Sequence, residues 1–364
     1  MSNASNIAAD QQIYNLLIGS YTTNGTEGIY IYRFDAASGN ATYLNRTPVG
    51  INNPTYLCIT TDNRFVYAVN ENEGMGSISA FAFDAHEGSI NLLNTQPSGA
   101  GPCYISVDKQ HQHVFAANYV SGSVHVFPIN EDGSLAPAER ILQEQGTGPN
   151  EERQDTSHIH AAMLSPNEEF LFYTDLGTDT LNVYRYQAAE ATVGGDKHAV
   201  VKVKPGDGPR HIAFSPDHRY LYLVTEMGGN IWVYEHEANG QLSHRQTISM
   251  LPEDFTGEAS GADIQVSPDG RFLYASNRDG LNEIVSYIID PKNGMLKFLE
   301  RQSSGGIEPR SFVIDPTGRY LLVANQKSNI IVSFSIDQDT GLINPTGHTI
   351  SVDQPSCLAL APVS

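Results

Sequence analysis

Residues 309–334 read PRSFVIDPTGRYLLVANQKSNIIVSF, and each end of the chain repeats one half of that stretch. Its opening, PRSFVIDP, is matched by PSCLALAP at 355–362, and its remainder, RYLLVANQKSNIIVSF, by YNLLIGSYTTNGTEGIYIYRF at 14–34. The pattern is a short apolar strand, a turn built from Pro, Asp or Gly, a second apolar strand, a loop and a third strand. Full copies also start at Pro54, Pro102, Ile159, Pro209 and Gly261, so successive starts up to Pro309 are 48, 57, 50, 52 and 48 residues apart. A period near 50 without helical patterning marks a β-propeller or a β-solenoid. Neither terminal fragment can stand alone as a blade. Joined, they complete a seventh blade and close a ring, which removes the unpaired edges of an open stack. The expected fold is therefore all-β: a seven-bladed β-propeller whose C-terminal strand completes the N-terminal blade. Length alone would suggest two or three domains. The repeat instead makes 14–364 one domain, with 1–13 outside it as a disordered stretch or a non-native leader.

Composition fits short strands and excludes several partners. The 364 residues include 32 Gly, 19 Pro and 18 Tyr, a turn-rich and aromatic balance. The net charge of −20 lacks the basic surface that binding to phosphate backbones or to an anionic membrane requires. It favours solubility, and a monomer or weak homodimer is expected. No run of 18 apolar residues offers a membrane span. The opening Met-Ser-Asn-Ala-Ser is polar and unlike a signal peptide, so a cytoplasmic location is expected, or a periplasmic or secreted one if a signal has been removed. Cys58, Cys103 and Cys357 form neither a close-spaced metal pattern nor an even disulfide set, and all three are expected to be buried thiols. Arg64, Arg219, Arg271 and Arg319 follow the turns at one repeat position, and such equivalence assigns them to the turns.

The propeller repeat also locates a site. The first strand of each blade lies innermost along the channel, and the second runs antiparallel to it. The start of one and the end of the other therefore meet at a single channel mouth. The residues just inside the first strands are Thr55, Cys103, His160, Arg210, Ala262, Arg310 and Ser356. Those ending the second strands are Tyr21, Glu71, Tyr119, Leu176, Glu226, Arg278 and Gln326. Unlike the turn arginines, these positions differ from blade to blade, as an asymmetric ligand requires. Three arginines at one mouth of an acidic protein suit a small anionic metabolite carrying carboxylate or phosphate. His160 and Glu226 add groups able to move protons. No cofactor motif is present: neither Walker loop, dinucleotide fingerprint nor G-x-S-x-G elbow occurs. No metal set is apparent either.

The segment before the fourth copy is long and reads GPNEERQDTSHIH at 148–160. With DLGTD at 175–179, GDGPRH at 206–211 and SNR at 276–278, it resembles the lactonase propeller family. That family includes cycloisomerase-2-type 6-phosphogluconolactonases and the carboxy-cis,cis-muconate lactonizing enzymes. The resemblance runs from Tyr14 to Pro362 and departs at Ile159, where the family usually has proline. It implies catalytic or substrate roles for His160, Arg210, Glu226 and Arg278. The first expectation is metal-independent hydrolysis of 6-phosphogluconolactone. In it His160 or Glu226 acts as base, and Arg210 and Arg278 stabilise the oxyanion. Arg310, Arg153 and Gln154 hold phosphate, and His158, Glu71, Tyr119 and Tyr21 add substrate contacts. Carboxymuconate cycloisomerisation is the second reading, and a propeller that only binds a ligand or protein is the third.

Overall fold

A computed structural model describes residues 12–22, 28–47, 50–187 and 192–363, and structural statements concern those residues. Part of the expected leader, residues 1–11, thus lies outside the described residues. The described chain forms seven four-stranded antiparallel sheets, and its one helical piece is the short 3-10 turn Gln326–Ser328. Six sheets are built from consecutive strands, and the seventh pairs the last strand, Pro355–Pro362, with the first, Ile13–Ser20. Its register runs from Tyr14 opposite Pro362 to Ser20 opposite Pro355, which is the closure the terminal half-repeats imply.

The core lies between blades rather than inside any one of them. The second strands, such as Tyr220–Thr225 and Phe272–Asn277, are buried along their whole length, because both faces are covered by neighbouring sheets. Tyr222, Val224 and Ile231 pack on Leu273, Ala275 and Val285 of the next blade. A recurrent inter-blade contact explains the glycine at the outer hairpin. Gly294 and Gly341 have φ of 70° and 77°, and a Cβ there would lie 2.4 Å and 2.3 Å from the rings of Tyr220 and Phe272. Glycine meets both demands at once.

The turns carry a conformation that the Pro-Asp-Gly pattern only partly announces. Asn63, His111, Glu168, His218, Gly270 and Gly318 occupy one repeat position, and all have positive φ. The arginines after four of these turns are turn furniture, as expected. Arg64, Arg219 and Arg271 lie over the rings of Phe65, Tyr220 and Phe272, and Arg319 reaches Thr317. The cysteine expectation needs one correction. Cys103 and Cys357 are buried free thiols, but Cys58, on the short inner strand Leu57–Ile59, is only partly buried where it packs at the margin of an inter-blade core.

Candidate active site

The innermost strands share an irregularity that builds the site. Where Pro102, Ile159, Pro209, Pro309 and Pro355 pair with the end of the second strand, the next residue is skipped in the ladder. The skipped residues are Cys103, His160, Arg210, Arg310 and Ser356. A bulge leaves one residue unpaired and re-aims its side chain. The positions singled out by the repeat are thus turned toward the channel by a defect in pairing.

Around that mouth lies a cavity of about 420 Å³, lined by Tyr21, Glu71, Cys103, Tyr119, Arg153, His160, Glu226, Arg278 and Arg310, with Glu73, Ser260 and Asp279 also on its wall. Nearly all the residues expected to converge do so. Three do not reach the cavity. Gln154 is fully buried, with Nε2 donating to the Leu176 carbonyl (2.8 Å) and Oε1 accepting from the Asn150 amide (3.2 Å), so it shapes the loop that carries Arg153. His158 stacks behind Tyr119 at 4.4 Å and lies between the Tyr119 carbonyl and Asp155. Arg210 is 2 % exposed and sits beneath Glu226, outside the lining. Its long side chain is consumed by protein acceptors.

Glu226 is the hub. Its Oε2 lies 3.0 Å from Arg210 Nε, 3.1 Å from an Arg278 Nη and 4.0 Å from His160 Nε2, while Oε1 accepts from Arg153 at 2.5 Å. Burial alone would raise its pKa, but Arg278 and Arg210, followed by His160 and Arg153, hold it well below the usual carboxylate range. His160 is pushed the same way for other reasons: burial first, then Arg210 and His211, outweigh the attraction of Glu226 and keep the imidazole neutral. Among the described residues its nitrogens have no partner closer than 4.0 Å, the distance to Cys103 Sγ and to Glu226. Burial raises the Cys103 thiol to about 12, which leaves it protonated beside the histidine.

Two residues that the repeat argument passed over complete the support. His211 Nδ1 lies 2.9 Å from Asp263 Oδ1, and its Nε2 lies 3.3 Å from Arg210 Nη1. Asp263 in turn accepts from Ser311 Oγ and the Phe312 amide. Burial and Arg210 lower His211 to about 4, so it is neutral, and Asp263 favours the Nδ1–H tautomer. Arg210 is thereby fixed from below by His211 and the Ala262 carbonyl, with Nε directed at Glu226. The GDGPRH stretch held the signal, because its histidine follows an arginine of the inner strand.

Arg310 differs from the other arginines. Among the described residues it has no hydrogen-bond acceptor and no carboxylate within 4.0 Å, and its guanidinium faces the ring of Tyr21 at 5.5 Å. Burial disfavours its charge, but the fields of Tyr21, Glu71 and Glu226 outweigh that and raise its pKa.

Comparison with known proteins supplies the family. Residues 15–360 match the model of the lactonase family described as a 7-bladed beta-propeller. A 6-phosphogluconolactonase of Bacillus subtilis is 37 % identical over 343 residues, 94 % of this chain and 96 % of that protein. One from Formosa agariphila is 35 % identical over 353 residues, covering 95 % and 99 %. Among solved structures, the periplasmic gluconolactonase of Pseudomonas aeruginosa superposes with a TM-score of 0.90 at 36 % identity, covering 97 % of this chain and all of that one.

Proposed function

The chain belongs to the seven-bladed β-propeller lactonase family, and on that premise we propose that it hydrolyses 6-phosphogluconolactone to 6-phosphogluconate. The observation that carries the choice of a phosphorylated substrate is Arg310. Arg153, Arg210 and Arg278 each pair with Glu226, whereas Arg310 keeps its fork of donors at the cavity wall with no acceptor among the described residues. Arg310 is only partly exposed and lines the cavity wall, where a bound phosphate can accept from its guanidinium in bidentate geometry.

His160 is the base in this reading. Glu226 has its oxygens committed to three arginines, while neutral His160 has no side-chain partner closer than 4.0 Å among the described residues and lines the cavity. Water attacks the lactone carbonyl carbon as His160 accepts its proton. The oxyanion forms beside Arg278, whose Nε is buried without a hydrogen-bond partner. On collapse, the bond from carbonyl carbon to ring oxygen breaks, and the imidazolium returns the proton to the departing alkoxide. Arg210 serves by holding Glu226 and touches no substrate. Arg153 bridges Tyr119 (3.4 Å) and Glu226 at the rim, where it can close over the phosphate.

The test is a timed assay with freshly generated 6-phosphogluconolactone, corrected for spontaneous opening, beside gluconolactone and carboxymuconate. Catalysed opening with preference for the phosphorylated lactone is the expected result. Turnover of carboxymuconate alone would replace this reading by cycloisomerisation, and no turnover of any would leave a binding propeller.

A further inference from the structure

Of the four carboxylates on the cavity wall, Glu71, Glu73, Glu226 and Asp279, Glu226 and Glu71 are held in unlike ways. Glu226 is saturated by guanidinium groups. Glu71 has no cation within 4.0 Å among the described residues, and only neutral donors hold it: Tyr21 Oη at 3.0 Å and 3.1 Å to its two oxygens, and Thr55 Oγ1 at 2.5 Å to Oε2. Its backbone is fixed on both sides, since its N–H donates to the Asn53 carbonyl (2.9 Å) and its own carbonyl accepts from Asn53 Nδ2 (3.1 Å). The carboxylate is therefore placed on the cavity wall by the fold, not left there by chance.

An ionised carboxylate has about four acceptor sites, and Tyr21 and Thr55 occupy only part of them. What remains faces the cavity on the same side as Tyr21 and Arg310. Spare acceptor capacity with net negative charge attracts hydroxyl donors and repels further anions. Arg310 and Glu71 thus form a bipolar pair, one place for an anion and one for hydroxyls.

We infer that Glu71 determines specificity: it accepts hydrogen bonds from the ring hydroxyls of a sugar-acid lactone and excludes polycarboxylates of similar size. This deepens the lactonase reading and rests on it for the identity of the polyol. It also explains how a cavity lined by Arg153, Arg278 and Arg310 avoids becoming a general polyanion trap.

The experiment measures binding by calorimetry, so it does not depend on turnover. The ligands are 6-phosphogluconate, a hydroxylated product with its phosphate, and tricarballylate, a tricarboxylate without hydroxyls. Glu71→Gln should weaken 6-phosphogluconate about tenfold, the effect of losing hydrogen bonds to a charged acceptor, and tighten tricarballylate about tenfold by removing repulsion. Thr55→Val removes a neighbouring hydrogen bond but keeps the charge, and should leave tricarballylate within about twofold of the wild type. If the glutamine variant does not fold, Glu71→Asp carries the test. It retracts the same charge by one methylene, so product binding weakens while tricarballylate stays excluded. Loss of affinity for both ligands together, or Thr55→Val reproducing the glutamine result, would overturn the inference in favour of a purely structural carboxylate. Reciprocal shifts in a protein that fails to open the lactone would keep the role of Glu71 and reject the proposed reaction.

Discussion

The two ends of the propeller hold cavities of opposite character. At the turn end, a groove of about 690 Å³ runs between blades and is lined by Pro216, Tyr220, Phe272, Ile288, Pro291 and Leu299. It is larger than the 420 Å³ mouth cavity, yet its arginine, Arg271, is half exposed and already paired with Asp269. At the mouth, Arg210 and Arg278 are 2 % and 7 % exposed, and Arg310 has no acceptor among the described residues. Size does not locate chemistry here. The turn end repeats one device blade after blade, an arginine over an aromatic ring and a glycine against the next blade. The mouth repeats a backbone device, the bulge, and presents from it cysteine, histidine, arginine or serine according to the blade. Equivalent positions with equal residues serve the fold, and equivalent positions with unequal residues serve a ligand.

Substitutions at the two ends should therefore separate activity from stability. The largest effect is expected at His160. His160→Asn should lower kcat by about 10²-fold or more with little change in KM, measured per folded molecule. Wild-type turnover in that variant would remove histidine from the mechanism.

Next comes the acid sensitivity of the mouth. His211 titrates near 4 in the folded protein against 6.5 when free, so between those values the unfolded chain binds more protons and stability rises with pH. His211 alone should contribute a loss of about 3 kcal/mol as pH falls from 6.5 to 4. Glu226 acts with the same sign: its folded pKa is depressed, so its stabilisation is present above the ordinary glutamate range and fades as pH falls. Denaturant melts across that window should show the slope, and His211→Gln should flatten it.

At the turn end, Gly341→Ala forces a Cβ to within 2.3 Å of the Phe272 ring at positive φ and should cost about 1–3 kcal/mol with kcat unchanged. Smallest is Arg271→Ala. Its exposed ion pair and ring contact should together contribute no more than about 1 kcal/mol, and the variant should melt slightly earlier with full activity. A change in KM from either would break the separation of the two ends.

The ring closure was legible because two half-repeats are complementary in sequence, and no other arrangement uses both. Convergence at the mouth was legible too, since antiparallel pairing forces strand starts and strand ends together. The bulges were not, for they need no distinctive residue: cysteine, histidine, arginine and serine all occupy the skipped position. Arg210 reads as a substrate ligand in the sequence but lies under Glu226 in the fold, because Glu226, His211 and the Ala262 carbonyl engage its guanidinium. Gln154 misled for a related reason, as a polar residue in a loop satisfies buried backbone as readily as it meets solvent. The His211–Asp263 pair joins residues 52 positions apart, and only the packing of adjacent blades brings them together.

The most direct test of the account compares phosphorylated with unphosphorylated gluconolactone in the wild type and in Arg310→Ala. The ratio of kcat/KM for the two lactones isolates the phosphate contact, because errors in enzyme concentration and effects on the shared hydrolytic step cancel. The wild type should favour the phosphorylated lactone, and the alanine variant should lose that preference, with a ratio lower by about 10²-fold and gluconolactone turnover little changed. An unaltered ratio in folded Arg310→Ala would contradict the assignment of the unpaired arginine as the phosphate clamp.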